Sequence, residues 1–377
     1  MKLSHIFTND IKSGHLFKIP EQPINVILDV TNFCNNYCLF CYNSSDSAYR
    51  NDKPDAASLK QIVSILGEHG TGEILYLGGE PFSFHGLHEI LRTGSKYGMF
   101  QRAVSNGSFL KGKNVCLDLK ESGLDEVGIS FHSSLAATHD KLSGRKGSFN
   151  DALVAVENCL NAGISTFIQY SPTQLNSKQD ILELAKYISE LFGNSIIFFD
   201  INRLLPLGHG RLIRDIFIEG DDWFLFLCEA SSLYHLGYDV HAELTPFCWL
   251  NHKAEVYNIQ DEMKEAVFKM NRGCFMWVAQ LALDFKGRIK FCPAGLSVGP
   301  SILEVRWPDF WTDWTDFKQY RSFLWNNKCV DLKKEVSCSF FNRCLGGCKY
   351  SKGIHYEIDR YAMDFRKYNW RGIHEKI

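Results

Sequence analysis

The chain reads as an α/β protein built on a parallel sheet. Three observations carry that reading: short apolar runs recur six times between residues 24 and 205, the segments between them place apolar residues at helical spacing, and the two patterns alternate about every 35 residues. Alternation of this kind implies parallel strands joined by right-handed crossovers. With 377 residues, 45% hydrophobic and 14% aromatic, the chain is long enough for one large or two moderate domains with a buried core.

Strands are expected at 24–30, 73–77, 100–104, 126–131, 165–171 and 196–201. Between them, Leu59, Ile62, Val63 and Leu66 are spaced as one face of a helix, and 149–160 and 180–191 repeat the pattern. Residues 215–270 are aromatic-rich and mostly helical in pattern. The chain divides accordingly into 1–214, a helical linker at 215–272, and a cysteine-bearing C-terminal part at 273–377.

Charge excludes some classes. Lys+Arg 41 against Asp+Glu 43 leaves a formal charge of −2, so no global field draws the protein to nucleic acid or an anionic membrane. Residues 1–22 lack an apolar targeting core, and no stretch approaches the ~18 apolar residues of a membrane span. A cytoplasmic protein is expected, without nucleic-acid or membrane partners. The 13 cysteines are clustered, which in a reducing compartment points to metal sites over disulfides.

The first cluster, Cys34, Cys38 and Cys41, directly follows the first strand. Three thiolates in one tight loop can wrap an inorganic cluster and leave one metal with an open coordination position. After the second strand come Gly78, Gly79, Glu80 and Pro81, where glycines let the backbone approach a ligand and Glu80 offers an acceptor for an ammonium group. The third strand ends in Ser105-Asn106-Gly107 and the fourth in Ser130-Phe131-His132-Ser133.

In these motifs the chain resembles the radical S-adenosylmethionine (SAM) enzymes: the cysteine spacing matches, Phe40 supplies the aromatic before the last cysteine, and 78–81 is similar to their GGEP motif. The resemblance implies a partial (β/α)6 TIM-like barrel with its chemistry at the C-terminal strand ends. It implies a [4Fe-4S] cluster on Cys34, Cys38 and Cys41 whose unique iron chelates the amino and carboxylate groups of SAM. Phe40, Gly78, Gly79, Glu80, Pro81 and Asn106 would surround SAM, with Ser130 at its ribose or carboxylate. The stretch from His139-Asp140 to Gly147-Ser148-Phe149 is similar to the family's HD…R…GSF segment, which carries Arg145 over as a partner of the SAM carboxylate. His132 is left open between substrate contact and a satisfied buried histidine. Residues 202–211 resemble a segment of peptide-modifying and haem-related members and are expected to close the barrel and line its cavity.

A second set, Cys274, Cys292, Cys338, Cys344 and Cys348, resembles the SPASM domain, an α+β extension that binds auxiliary Fe-S clusters in peptide-modifying members. The departures matter. Glu335 stands where the family pattern has a cysteine, no cysteine follows residue 348, and Cys329 is the available substitute. Six cysteines cannot supply eight ligands, so one auxiliary [4Fe-4S] cluster is expected, with Cys274, Cys292 and Cys348 as its best-placed ligands, and a second is left open. Cys228 and Cys248 read as small hydrophobes, with a hydrogen-donor role as the alternative that some peptide epimerases in the superfamily offer.

Reductive cleavage of SAM in this family gives a 5′-deoxyadenosyl radical, and an auxiliary cluster can take the electron that an oxidised substrate loses. The implied function is oxidative modification of a ribosomally synthesised peptide by side-chain crosslinking, C–C or thioether. Alternatives are small-molecule dehydrogenation, peptide epimerisation and, in another class, a non-catalytic metal-binding protein; Glu80, Asn106 and Ser130 at successive strand ends argue against the last. Pro293, where sulfatase maturases carry an acidic residue, disfavours that activity. Implied partners are a precursor peptide, a separate leader-binding protein if one is used, and an electron donor such as flavodoxin or ferredoxin. The aromatic stretch 307–325 is read as an amphipathic helix packed on the barrel in preference to a peptide clamp.

Overall fold

The computed structural model describes residues 20–318, apart from 46–47, 49–53, 177–179, 244, 277, 291, 296, 308 and 315–316, together with 330–331 and 336–337. The six expected strands form as β1 (Asn25–Thr31), β2 (Glu73–Gly78), β3 (Phe100–Ser105), β4 (Glu126–Ser130), β5 (Ser165–Tyr170) and β6 (Ile196–Ile201). Each pairs in parallel with the next. The helices between them are α1 (Ala56–Glu68), α2 (Leu87–Lys96), α3 (Lys113–Ser122), α4 (Ala136–Ser143), α5 (Ser148–Asn161) and α6 (Asp180–Phe192). Asp55 caps α1 by accepting from Ala57 and Ser58 amides, which satisfies donors that the first helical turn leaves unpaired.

The period of two along each strand builds the two faces of the sheet. Val26, Leu28, Ile74, Tyr76, Val127, Ile129, Ile168 and Phe199 are buried toward the helices, whereas the alternate residues Ile27, Glu73, Leu75, Arg102 and Asp200 border an inner cavity. Gly128 faces inward because Phe167 fills its place: a methyl there would meet that ring at 2.3 Å. The buried Tyr76 hydroxyl donates to Gln101 Oε1 at 2.7 Å, and Gln101 Nε2 donates to the carbonyls of Leu91 and Gly123. These bonds offset the desolvation penalty of both side chains.

The sheet continues past the six units. Residues 215–270 do form helices α7 (Gly220–Ser231), α8 (Phe247–Val256) and α9 (Asp261–Met270), but β7 (Asp239–Glu243) and the short β8 (Asn271–Arg272) extend the parallel sheet beyond β6. On the other edge, β9 (Gln280–Leu283) adds in parallel to β1, followed by antiparallel β10 (Arg288–Lys290) and β11 (Ser297–Ser301). One eleven-stranded sheet, in the order β11-β10-β9-β1-β2-β3-β4-β5-β6-β7-β8, therefore crosses the expected boundaries at 214 and 272. Alternation gave no warning of β7, a five-residue strand inside an otherwise helical stretch. A short helix α10 (Asp309–Asp313) follows, and Trp311 and Phe317 are fully buried, with Trp311 Nε1 donating to the Pro20 carbonyl. These two aromatics are core. Cys329, Cys338, Cys344 and Cys348 lie outside the described residues.

Candidate active site

The loop after β1 is clamped from three sides. The Gly79 amide donates to the Thr31 carbonyl at 2.6 Å and the Glu80 amide to the Phe33 carbonyl at 2.7 Å. From α4, the Ser143 and Leu142 carbonyls accept from the Tyr37 and Leu39 amides at 3.1 and 3.0 Å. From the segment after β6, the His209 amide donates to the Cys41 carbonyl at 2.9 Å and His209 Nδ1 lies 3.2 Å from the Cys38 carbonyl. The glycines at 78 and 79 answer to this packing: a methyl would sit 2.2 Å from the Thr31 oxygen at Gly78, whose φ is +122°, and 2.0 Å from the Phe33 oxygen at Gly79. Their freedom admits the cysteine loop's backbone, and both also border the cavity.

Glu80 is 1% exposed. Its Oε1 accepts from Ser105 Oγ at 2.8 Å and the Phe82 amide at 3.2 Å, and its Oε2 from the Asn106 amide at 2.8 Å. Burial nevertheless pushes its carboxyl up to about 7, because three hydrogen bonds only partly repay the lost hydration of the anion. Asn106 Nδ2 reaches Asn35 Oδ1 at 2.9 Å and Cys34 Sγ at 3.6 Å. Burial and the nearby Glu80 charge drive the Cys34 thiol up to about 12, and burial likewise lifts Cys38 well above the usual thiol range. Metal loading must therefore expel tightly held protons.

A cavity of about 460 Å³ opens above the sheet. Cys34, Cys38 and Cys41 border it together with Cys274 and Cys292, so the barrel's cysteines and the described pair from the C-terminal part face one space. Phe40, Gly78, Gly79, Glu80, Asn106, Ser130 and His132 also border it. Pro81 starts a short 3-10 turn behind Glu80 and is buried. Arg145 stands behind the wall: its Nε donates to Asn36 Oδ1 and its Nη1 pairs with Asp151 at 2.8 Å. Its charge still lowers the carboxyl of Glu80 and the thiol of Cys38. Cys228 is buried on α7 among apolar side chains, and burial pushes its thiol up to about 11. Cys248 lies on α8, its side chain outside the described residues.

His132 is 4% exposed, meets Phe40 edge-on at 4.9 Å and stacks on His139 at 5.6 Å. Burial holds it well below the usual imidazole range, so it is neutral. Its Nδ1 has no hydrogen-bond partner among the described residues, and neither has Arg145 Nη2. A buried polar atom without a partner, on a residue of the cavity wall such as His132, suits a polar ligand.

Three features lay hidden in the sequence. His209 was one residue in a Pro/Gly segment, and nothing local marked its grip on two cysteine carbonyls. A charged layer lies deeper in the barrel, where Arg102 pairs with Glu73 at 3.0 Å and Glu126 at 2.6 Å, and Asp200 and Arg272 border the cavity; charges at inward positions of apolar strands were its signal. Lys290 pairs with Asp29 at 2.5 Å and donates to the Pro293 carbonyl at 2.6 Å. That clasp ties the Cys292 turn to β1.

A partial barrel of parallel strands with a three-cysteine loop and Glu80 at consecutive strand ends defines the radical SAM type of α/β fold. Residues 28–188 match the family model for the Radical SAM superfamily and form a radical SAM domain. The AdoMet-dependent heme synthase of Oleidesulfovibrio alaskensis is 22% identical over 85% of this chain and 81% of its own. The sporulation killing factor maturation protein SkfB of Bacillus subtilis is 31% identical over 43% of this chain and 39% of its own. In fold, the chain is similar to Streptococcus suis SuiB bound to precursor peptide SuiA, with TM-score 0.69 and 18% identity, covering 94% of this chain and 78% of that one.

The family implies a [4Fe-4S] cluster that binds SAM, and the residues present fit it. Among the described residues no three His, Cys, Asp or Glu side chains are grouped to hold a single metal ion; three thiols spread along one loop and facing a cavity suit a polynuclear cluster. Glu80 stands beside them, able to receive an ammonium group, while Arg145, behind the wall, positions Asn36 and lends its charge.

Proposed function

We propose that this protein is a radical SAM enzyme that oxidatively modifies a ribosomally synthesised peptide, most directly by crosslinking side chains. The observation that carries the reading is that Cys274 and Cys292 border the same cavity as Cys34, Cys38 and Cys41. A SAM-bound cluster supplies a radical able to take hydrogen from an unactivated C–H bond, and an oxidative outcome needs an electron acceptor within reach of the same space. The chain's own residues have distinct tasks. Glu80 and Asn106 hold the amino-acid end of SAM, Phe40 and His132 shape the cavity beside it, and the Lys290–Asp29 pair keeps the Cys292 turn against the barrel. The likeness to SuiB with its precursor peptide and to SkfB supports a peptide substrate.

A second reading, action on a haem precursor, is favoured by the match to an AdoMet-dependent heme synthase over most of both chains. Arg203 and Arg272 on the cavity wall are cations suited to a carboxylated macrocycle. The deciding experiment incubates the iron-loaded protein, SAM and a reductant with either a precursor peptide encoded beside its gene or a carboxylated iron porphyrin. A peptide lighter by two hydrogens supports the first reading. Change only in the porphyrin supports the second.

A further inference from the structure

We propose that Asn106 is a positioning residue that tunes the SAM-binding cluster: its side-chain N–H, locked toward Cys34, makes that cluster easier to reduce. This role rests on the cluster reading of the cysteine loop and adds to it the group that sets the ease of electron entry. Asn106 Nδ2 lies 3.6 Å from Cys34 Sγ and donates to Asn35 Oδ1 at 2.9 Å. A sulfur that accepts N–H bonds holds added negative charge better, which raises the potential of an iron–sulfur cluster. Cys34 is 9% exposed, so bulk water does not supply those donors in its place.

The direction of the amide is fixed by its other end. Asn106 Oδ1 accepts from the Ser108 amide at 3.0 Å and from Ser108 Oγ at 2.6 Å. A flipped amide would set its own N–H groups against those two donors, so the nitrogen must face Cys34 and Asn35. Ser108 Oγ in turn accepts from Asn35 Nδ2 at 2.8 Å, which closes a ring of side chains beside the cysteine. Gly107 makes the turn that brings Ser108 back: its φ is +81°, and a methyl there would meet Ala155 Cβ at 2.9 Å. Cys34 also accepts from the Asn36 backbone amide, and Asn36 is pinned by Arg145 Nε and by its own bond to Ser148 Oγ at 3.3 Å.

A buried anion works in the opposite sense. Glu80 lies close enough for its charge to act on Cys34, and a negative charge beside a cluster opposes the arrival of an electron. Asn106 answers it at both ends, with its backbone N–H on Glu80 Oε2 at 2.8 Å and its side-chain N–H on the sulfur. One asparagine at the end of β3 thus offsets the carboxylate assigned to the ammonium group of SAM. No covalent bond forms or breaks in this role: the cluster takes one electron from an external reductant such as dithionite, and Asn106 keeps its protons.

The test is a redox titration of the iron-loaded full-length protein without SAM, followed by electron paramagnetic resonance with dithionite as reductant. The relevant signal is the one that SAM, added to a parallel sample, perturbs. Asn106→Ala should move its midpoint to more negative potential, with about a tenfold fall in the ratio of reduced to oxidised cluster at a fixed potential, or about 59 mV for one electron. Asn106→Asp keeps the shape and the backbone donor but turns an oxygen toward the sulfur, so its shift should be larger still. Ser108→Ala frees the amide to turn and should move the midpoint the same way by less; its midpoint decides the question if the Asn106 variants take up no iron. Unchanged midpoints in the variants that load iron would overturn the role, because a merely structural asparagine moves stability and not the potential. Failure of the cluster reading would look different: wild-type protein would show no iron–sulfur signal that responds to SAM.

Discussion

Glu80 and Asn106, from the ends of neighbouring strands, are joined by a 2.8 Å hydrogen bond from the Asn106 amide to Glu80 Oε2, while the Asn106 side chain reaches the sulfur of Cys34 at 3.6 Å. One short chain of contacts therefore links Glu80, which we propose receives the ammonium group, to Cys34, the first of the three proposed cluster ligands. Disturbing either end should be felt at the other.

The change Glu80→Gln should weaken SAM binding about 10- to 100-fold, the worth of a charge-assisted hydrogen bond of roughly 1.5–3 kcal/mol. The amide also turns a donor toward some of the three donors that now bond Glu80, so the apo fold should lose about 1–3 kcal/mol. Calorimetry with SAM and urea unfolding check the two halves. Unchanged SAM affinity would remove Glu80 from the site.

The same carboxyl gives a pH dependence. Its ordinary value is 4.5 and burial lifts it to about 7, so the folded state prefers the neutral acid. That contribution to apo stability is complete below 4.5 and is lost as pH rises toward 7. SAM's ammonium needs the anion, so SAM affinity should climb as pH passes through about 7 and then level off. In Glu80→Gln the climb should vanish; a climb that persists would assign it to another group.

Replacing Cys34, Cys38 and Cys41 together by Ala should remove the SAM-binding cluster and abolish 5′-deoxyadenosine formation under dithionite. Replacing Cys292 by Ala should instead lower iron by about one cluster and leave SAM cleavage intact, while the yield of oxidised product collapses. Iron and sulfide assays with chromatography of the nucleoside separate the two. Wild-type protein holding iron for a single cluster would show that the second set binds none.

Gly79→Ala should cost about 1–3 kcal/mol, because the new methyl must push the Phe33 carbonyl away and strain the hydrogen bonds at Gly79 and Glu80. The melting temperature should fall, and iron incorporation should fall with it. Normal loading by a destabilised variant would separate the glycine's structural role from the cluster.

Arg102→Met strands two buried carboxylates, Glu73 and Glu126, at a cost of about 3–5 kcal/mol. Adding Glu73→Gln and Glu126→Gln should restore most of the loss, since neither stranded carboxylate then carries a charge and Asp200 keeps Arg272. Denaturant unfolding of the single and triple variants measures both. A triple variant as unstable as the single would assign the loss to packing.

Much of this protein was legible from residue order because its signals are local. The spacing of Cys34, Cys38 and Cys41, the Gly-Gly-Glu-Pro turn and the two hydrophobic periods are written within stretches of a few to a dozen residues, and the six strands lie within a residue or so of where periodicity put them. What stayed hidden depends on residues far apart in the chain. Lys290 meets Asp29 across 261 positions and His209 meets the Cys38 carbonyl across 171, and no pattern around either residue names its partner. The strand β7 was missed because five residues between helices carry too little periodicity to register, yet the open edge of β6 supplied a row of backbone donors and acceptors that it could pair. Glu80 shows the division at one side chain. Its type and place are set by the motif, while its proton affinity follows from the burial and three donors that folding brings around it.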